Sequence, residues 1–242
     1  MSGNSEAKVS FRALDKSGRA LKAFAYMYLP FHDLGMEFLF EHYGIFSYVS
    51  AALYEADEIN ELARGSGVRN LRQLRDFLHH QGLLDREAHR FIQEGFQYLE
   101  FERAVRRGAP YTLGDLLQIV SYRSVDFRLM HRILYRIIGK RFDEAVFSLF
   151  AAFETLFEIE DDLGSYAIDV GANTFNTYHL LARLLGKKAQ SFLRELLQHL
   201  NGEIERYCSY IDDSAAERFR NILKWYRTQI PFLQIPQPII TE

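Results

Sequence analysis

Apolar residues return at every third or fourth position through most of this chain, with charged residues filling the places between. That period puts the apolar side chains on one face of a helix. Extended alternating runs joined by hairpin dipeptides are absent, so a sheet is not expected. The pattern predicts an all-α chain of about ten helices. One covers residues 13–29 and stops at Pro30; a second covers 31–43 and ends at Gly44; a third, 46–64, runs into Gly65-Ser66-Gly67. Residues 70–80 form a short helix closed by Gly82, and 85–107 a long amphipathic one with Gly108 and Pro110 behind it. Thr112 is a good N-cap with Asp115 three residues on, which opens a helix running to about residue 124. Residues 126–139 continue or restart it, and 143–168 follow. Asn173 or Thr174 opens the next helix, which stops at Gly186; 187–211 and 214–230 complete the set.

No repeat, low-complexity tract or linker interrupts this series. The expectation is a single domain over 1–242, with 1–10 and 231–242 as flexible tails. The C-terminal tail holds three prolines and reads as extended or as a lid. Apolar residues make up 48% and charged residues 25%, an ordinary globular balance. A net charge of −3 supplies no basic field for nucleic acid. The lone Cys208 leaves no intramolecular disulfide and fits a reducing, cytoplasmic setting. Residues 1–8 are polar, unlike a signal peptide, and the apolar stretch 145–157 is broken by Glu154, so no transmembrane segment is expected. The 20 Phe and 14 Tyr supply either a ring-rich helical core or a pocket whose ring faces stabilise a cation, and both can hold together.

The segment Glu158-Ile159-Glu160-Asp161-Asp162-Leu163-Gly164-Ser165-Tyr166-Ala167-Ile168-Asp169 carries the candidate chemistry. Asp161, Ser165 and Asp169 stand at i, i+4 and i+8, so a helix stacks them along one stripe. Oxygen ligands in a row suit a hard divalent cation. Mg²⁺ takes few protein carboxylates and completes its shell with water and phosphate oxygens. The stripe therefore suits metal held against a diphosphate, with Asp162 and Glu158 as auxiliary groups.

This stripe resembles the second metal motif of the class I isoprenoid (terpene) synthase family, (N/D)-D-x-x-(S/T)-x-x-x-(E/D), with Asp169 where Glu is usual. The turn after it, Val170-Gly171-Ala172-Asn173-Thr174-Phe175-Asn176, is similar to the family's Gly/Asn turn and brings in Asn176 as a substrate-binding residue. The first acidic motif of such enzymes would correspond to Asp57-Glu58-Ile59-Asn60-Glu61, with Asp57, Glu58 and Glu61 as the opposing metal ligands. Arg123 and Arg128, in Tyr122-Arg123-Ser124-Val125-Asp126-Phe127-Arg128, stand where the family has its diphosphate-sensing cation, since Arg grips phosphate oxygens in two-pronged fashion. Trp225-Tyr226-Arg227 resembles the late Arg-Tyr pair that closes over the diphosphate.

The resemblance implies a helical bundle around a central apolar cavity and a Mg²⁺-dependent lyase of isoprenoid biosynthesis. Three Mg²⁺ ions would hold an isoprenoid diphosphate while its C–O bond ionises. Tyr54, Phe150, Phe153 and Phe157 would line the pocket that folds the allylic cation for cyclisation or quenching. The competing expectations are a trans-prenyltransferase, disfavoured because Ser165 replaces the last Asp of a DDxxD string, and a non-catalytic isoprenoid-synthase-like binding subunit. A ferritin-like di-iron protein is excluded by spacing, because none of the eight His residues has Glu three positions before it. A homodimer is compatible with such folds, but the sequence marks no surface for one.

Overall fold

The computed structural model describes residues 9–61, 67–230 and 234–239. Among them the backbone is helical and contains no strand, so the all-α expectation holds. Eleven α-helices follow in order: α1 (Phe11–Phe31), α2 (Met36–Glu41), α3 (Tyr43–Glu61), α4 (Val68–His80), α5 (Arg86–Arg106), α6 (Leu113–Val120), α7 (Val125–Ile137), α8 (Glu144–Ala172), α9 (Thr177–Leu185), α10 (Ala189–Cys208) and α11 (Asp213–Gln229), with one 3₁₀ turn at Gly186–Lys188. None of the described helices is long and apolar enough to cross a membrane.

Local chemistry explains most ends. Thr112 and Asp115 form a reciprocal capping box at the start of α6, the Thr112 hydroxyl accepting from the Asp115 amide at 3.1 Å and the Asp115 carboxylate from the Thr112 amide at 2.9 Å. Asp143 caps α8 through the amides of Ala145 and Val146, and Asp212 caps α11 through Ala215. Several boundaries depart from the sequence expectation: Gly44 does not end a helix but lies in the first turn of α3, α6 stops at Val120, and α8 runs on to Ala172. Pro30 does not stop α1; it lies one residue from the end, where a missing N–H costs one bond. The helix then closes through the amides of His32 and Leu34, both bonded to the Leu29 carbonyl, with Asp33 in the left-handed region at φ 56°. As a result α2 begins at Met36 rather than at residue 31. Neither Asn173 nor Thr174 opens α9. Asn173 takes φ 53° and ends α8, and Asn176 is the N-cap of α9.

The chain gathers into two compact units, one comprising residues up to Leu99 together with Val125–Arg141, the other Glu100–Ser124 with Phe142–Glu242. No linker composition marks the divisions; one falls inside α5. In the first unit α3 packs on α1, α4 and α7. Its centre is aromatic: Phe24 stacks on Tyr28 at 4.9 Å, Phe46 meets Phe24 at 5.2 Å, and Tyr28 meets the edge of His131 at 4.8 Å. His131 is fully buried, and its Nε2 lies 2.8 Å from Nε2 of His32. The second unit is organised on α8, against which α9 and α10 pack. Phe219 of α11 sets its ring edge-on to Phe150 at 5.4 Å and to Phe153 at 5.6 Å.

Phe219 is fully buried, whereas Phe40 leaves 69% of its surface open. Phe219→Ala should lower the unfolding free energy by about 3–5 kcal/mol, and Phe40→Ala by less than about 0.5 kcal/mol, in urea titrations. Comparable losses for the two would contradict this packing. Burial and the nearby His32 and Arg132 push His131 well below its ordinary value of 6.5. In the folded chain His131 stays neutral while the unfolded chain takes up a proton below that value. Its contribution is therefore present above about pH 6.5 and is lost on acidification, at up to about 1.4 kcal/mol per pH unit. Between pH 7 and pH 5, His131→Gln should flatten the decline in stability relative to wild type; parallel curves would refute the assignment.

Candidate functional site

The acidic string lies within the second unit, in the C-terminal half of α8. Along the expected stripe, the Ser165 hydroxyl contacts the Asp161 carbonyl at 3.2 Å and donates to Oδ2 of Asp169 at 2.5 Å. Asp161 is exposed, and Ser165 and Asp169 are half-buried. The Asp161 carboxyl is nevertheless pushed above its ordinary range, first by desolvation against the packed helix and then by the charges of Asp162 and Asp169, with Arg123 opposing. Crowded like charges of this kind are relieved by a proton or a cation.

The neighbouring carboxylates are each met by a donor from another segment. Asp162, 2% exposed, accepts from Nη1 of Arg123 at 2.5 Å and from the Thr177 amide at 2.7 Å. Thr177 is the first residue of α9, so Asp162 sits at a helix N-terminus, where free amides and the helix dipole favour an anion. Burial still pushes its carboxyl upward, against the pull of Arg123 and Thr177. The other arm of Arg123 reaches Glu158 at 3.1 Å, and the Ser124 hydroxyl donates to Glu158 at 2.8 Å. The guanidinium also lies over the Phe175 ring at 5.1 Å. Glu160 accepts from the Tyr226 hydroxyl at 2.7 Å and from Arg227 at 2.6 Å. Burial and the Glu160 charge push the Tyr226 phenol upward, so it remains a donor. Its ring lies against Phe153 at 5.2 Å and Phe157 at 5.6 Å.

The turn between α8 and α9 is held by the same carboxylates. Asn176, fully buried, donates to the Asp162 carbonyl at 2.7 Å and to Oδ2 of Asp169 at 2.9 Å, and accepts from the His179 amide at 3.1 Å. Thr174 adds a 3.1 Å bond to Oδ1 of Asp169. Residues 234–239 have no regular secondary structure and are held by three hydrogen bonds among the described residues. Tyr178 donates to the Pro236 carbonyl at 2.6 Å, Gln190 to that of Ile235 at 2.8 Å, and the Ile239 amide donates to the Tyr166 hydroxyl at 2.7 Å.

Thus Asp161, Ser165, Asp169, Asn176, Arg123, Tyr226, Arg227 and the Phe150–Phe153–Phe157 face all belong to one unit. The remaining expected residues belong to the other. There Glu58 is buried and held by Arg12 at 2.8 Å and Lys16 at 3.0 Å, and Asp57 lies 3.5 Å from Lys16. Cations of α1 already meet these two charges. The side chain of Glu61 lies outside the described residues. Tyr54 donates to Asp126 at 3.0 Å, and Arg128 is buried against Glu94 at 3.3 Å. Among the described residues no group of three His, Cys, Asp or Glu is arranged to hold a metal ion. The roles of Glu160 as shared acceptor and of Thr177 as amide donor carry no motif signal; both depend on which helices meet. No family model, curated protein or solved structure matches this chain significantly.

Asn176 combines a helix cap with two buried bonds into α8. Asn176→Ala should therefore cost about 2–4 kcal/mol in urea unfolding. A loss below about 0.5 kcal/mol would show that the turn is held by other means.

Proposed function

We propose that this chain is a Mg²⁺-dependent class I terpene synthase acting on an allylic isoprenoid diphosphate. The supporting observation is that Arg123, Tyr226 and Arg227, three groups able to grip a diphosphate, all bond to carboxylates of the single string Glu158, Glu160 and Asp162. They converge there on the helix that carries Asp161, Ser165 and Asp169. Three oxygen-bearing side chains in line, with the Asp161 carboxyl raised first by desolvation and then by Asp162 and Asp169, fit a hard cation that shares its shell with phosphate oxygens. Asp161, Ser165 and Asp169 would hold it, and when bound it supplies neutralisation of the charge that develops on the leaving diphosphate.

The chain's own residues do the rest. Arg227 exchanges its single Glu160 contact for phosphate oxygens, and Arg123 would turn its Nη2 from Glu158 to phosphate while Nη1 stays on Asp162. The Tyr226 hydroxyl, kept protonated, donates to the same anion. Asn176 fixes Asp169 and with it the lower end of the stripe. The rings of Phe153 and Phe157, packed against Tyr226, would form the apolar wall beside the diphosphate. A second reading, a non-catalytic isoprenoid-synthase-like binding protein, is favoured by the pairing of Glu58 and Asp57 with Arg12 and Lys16 on what would be the opposing acidic motif.

Incubation with geranyl, farnesyl and geranylgeranyl diphosphates should release diphosphate only when Mg²⁺ is present. Asp161→Ala should lower turnover by at least about 10²-fold with an unchanged helical circular dichroism spectrum. Full turnover in that variant, or turnover in EDTA, would remove the assignment; a wild-type chain that binds these compounds but converts none supports the binding-protein reading.

A further inference from the structure

The first unit carries a surface that the isoprenoid reading does not use. Phe11, at 86% exposure, is the most open large apolar side chain among the described residues, and Leu14 and Tyr26 are each half exposed. With Asp15, Gly18 and Lys22 they form a stripe along α1 at helical spacing, every member exposed to solvent. Phe11, Leu14, Asp15, Gly18, Arg19 and Lys22 line one shallow groove. No atom stands within 4 Å of where a Gly18 Cβ would project. A helix can therefore approach α1 closely at that point.

We infer that this stripe is a docking surface for a second copy of the chain, α1 against α1 in antiparallel register about an axis between Gly18 and Arg19. The order of charges selects this occupant. Asp15 is held by Arg19 of its own helix at 3.3 Å, and in an antiparallel pair centred there it also faces Lys22 of the other copy. Phe11 faces Tyr26 at both ends, and the stem of Lys22 covers Leu14. Gly18 meets Arg19 at the centre, where the missing side chain leaves room. The same surface laid parallel on itself sets Asp15 against Asp15 and Lys22 against Lys22, which repel. The interface is isologous, as a two-fold dimer requires. Roughly four turns of one helix make a contact at or below the low end of stable interface size, about 1,200 Å² in total. The dimer is accordingly weak and concentration-dependent. This inference is independent of the reading of α8.

Sedimentation velocity on the full chain from about 2 µM to about 200 µM tests it. Wild type should shift from monomer toward dimer across that range. Asp15→Lys should remain monomeric throughout, because it places like charges opposite Lys22, and Leu14→Arg should do the same. The double variant Asp15→Lys with Lys22→Asp should regain the wild-type shift. All these positions are exposed, and thermal unfolding of each variant at low concentration checks that the fold is intact. A wild-type monomer at every concentration overturns the inference, as does a dimer that survives both single substitutions or a double variant that stays monomeric.

Discussion

The burial of Asp162 is the constraint on which the second unit depends. A carboxylate with 2% of its surface open costs several kcal/mol to desolvate unless its lone pairs are met. Here two separate segments meet them: Arg123 arrives before α7, and the Thr177 amide arrives at the head of α9. Removing either donor leaves a buried charge uncompensated, which for such pairs costs about 3–5 kcal/mol. The consequence is positional. Arg123 and the N-terminus of α9 both meet α8 at this one side chain, and the turn 173–176 is held beside it through Asp169 and the Asp162 carbonyl. The stripe Asp161–Ser165–Asp169 lies on the adjoining face of the same turns, so its geometry is inherited from that anchor.

A gradient of burial separates structural from available charge along the string. Asp162 is sealed. Glu158 and Glu160 are half-buried and pair with Arg123 and Arg227, and Asp161 is exposed. Desolvation dominates for Asp162 even with a guanidinium in contact, whereas for Asp161 the neighbouring carboxylates add to it. Asp162 is thus sealed by donors from two other segments, whereas Asp161 stands open to solvent at the adjacent position of the same helix. Carboxylates hold both arginines: Arg123 bridges Glu158 and Asp162, and Arg227 reaches one oxygen of Glu160.

What could be read from residue order was local. The capping box at Thr112 and Asp115 and the N-cap at Asp143 depend on neighbours within three positions. Gly108 and Gly186, read as stops, hold φ of 83° and 56°, where other residues are strained. The ladder 161, 165, 169 is likewise a matter of helical period. What could not be read was which charges meet. Glu58 looks like half of a metal motif in sequence, yet Arg12 and Lys16 come to it from forty residues away and more. Arg128 resembles Arg123 in type and place, but a helix start separates them, and it pairs with Glu94. Asn176 rather than Asn173 capping α9 turns on a left-handed residue and two bonds into α8. The hold of Tyr166, Tyr178 and Gln190 on residues 235–239 follows the same rule, since no spacing within the tail encodes its docking partners.

The central claim is that the Asp161 stripe and the arginines bonded to its helix together receive a metal-bound diphosphate. Isothermal titration calorimetry with inorganic diphosphate tests it without any choice of isoprenoid. Wild type should bind in Mg²⁺ and lose binding in EDTA, and Asp161→Ala and Arg227→Gln should each weaken it by at least about tenfold, roughly 1.4 kcal/mol. Binding that is equally tight in EDTA, or unchanged in Asp161→Ala, would contradict the account.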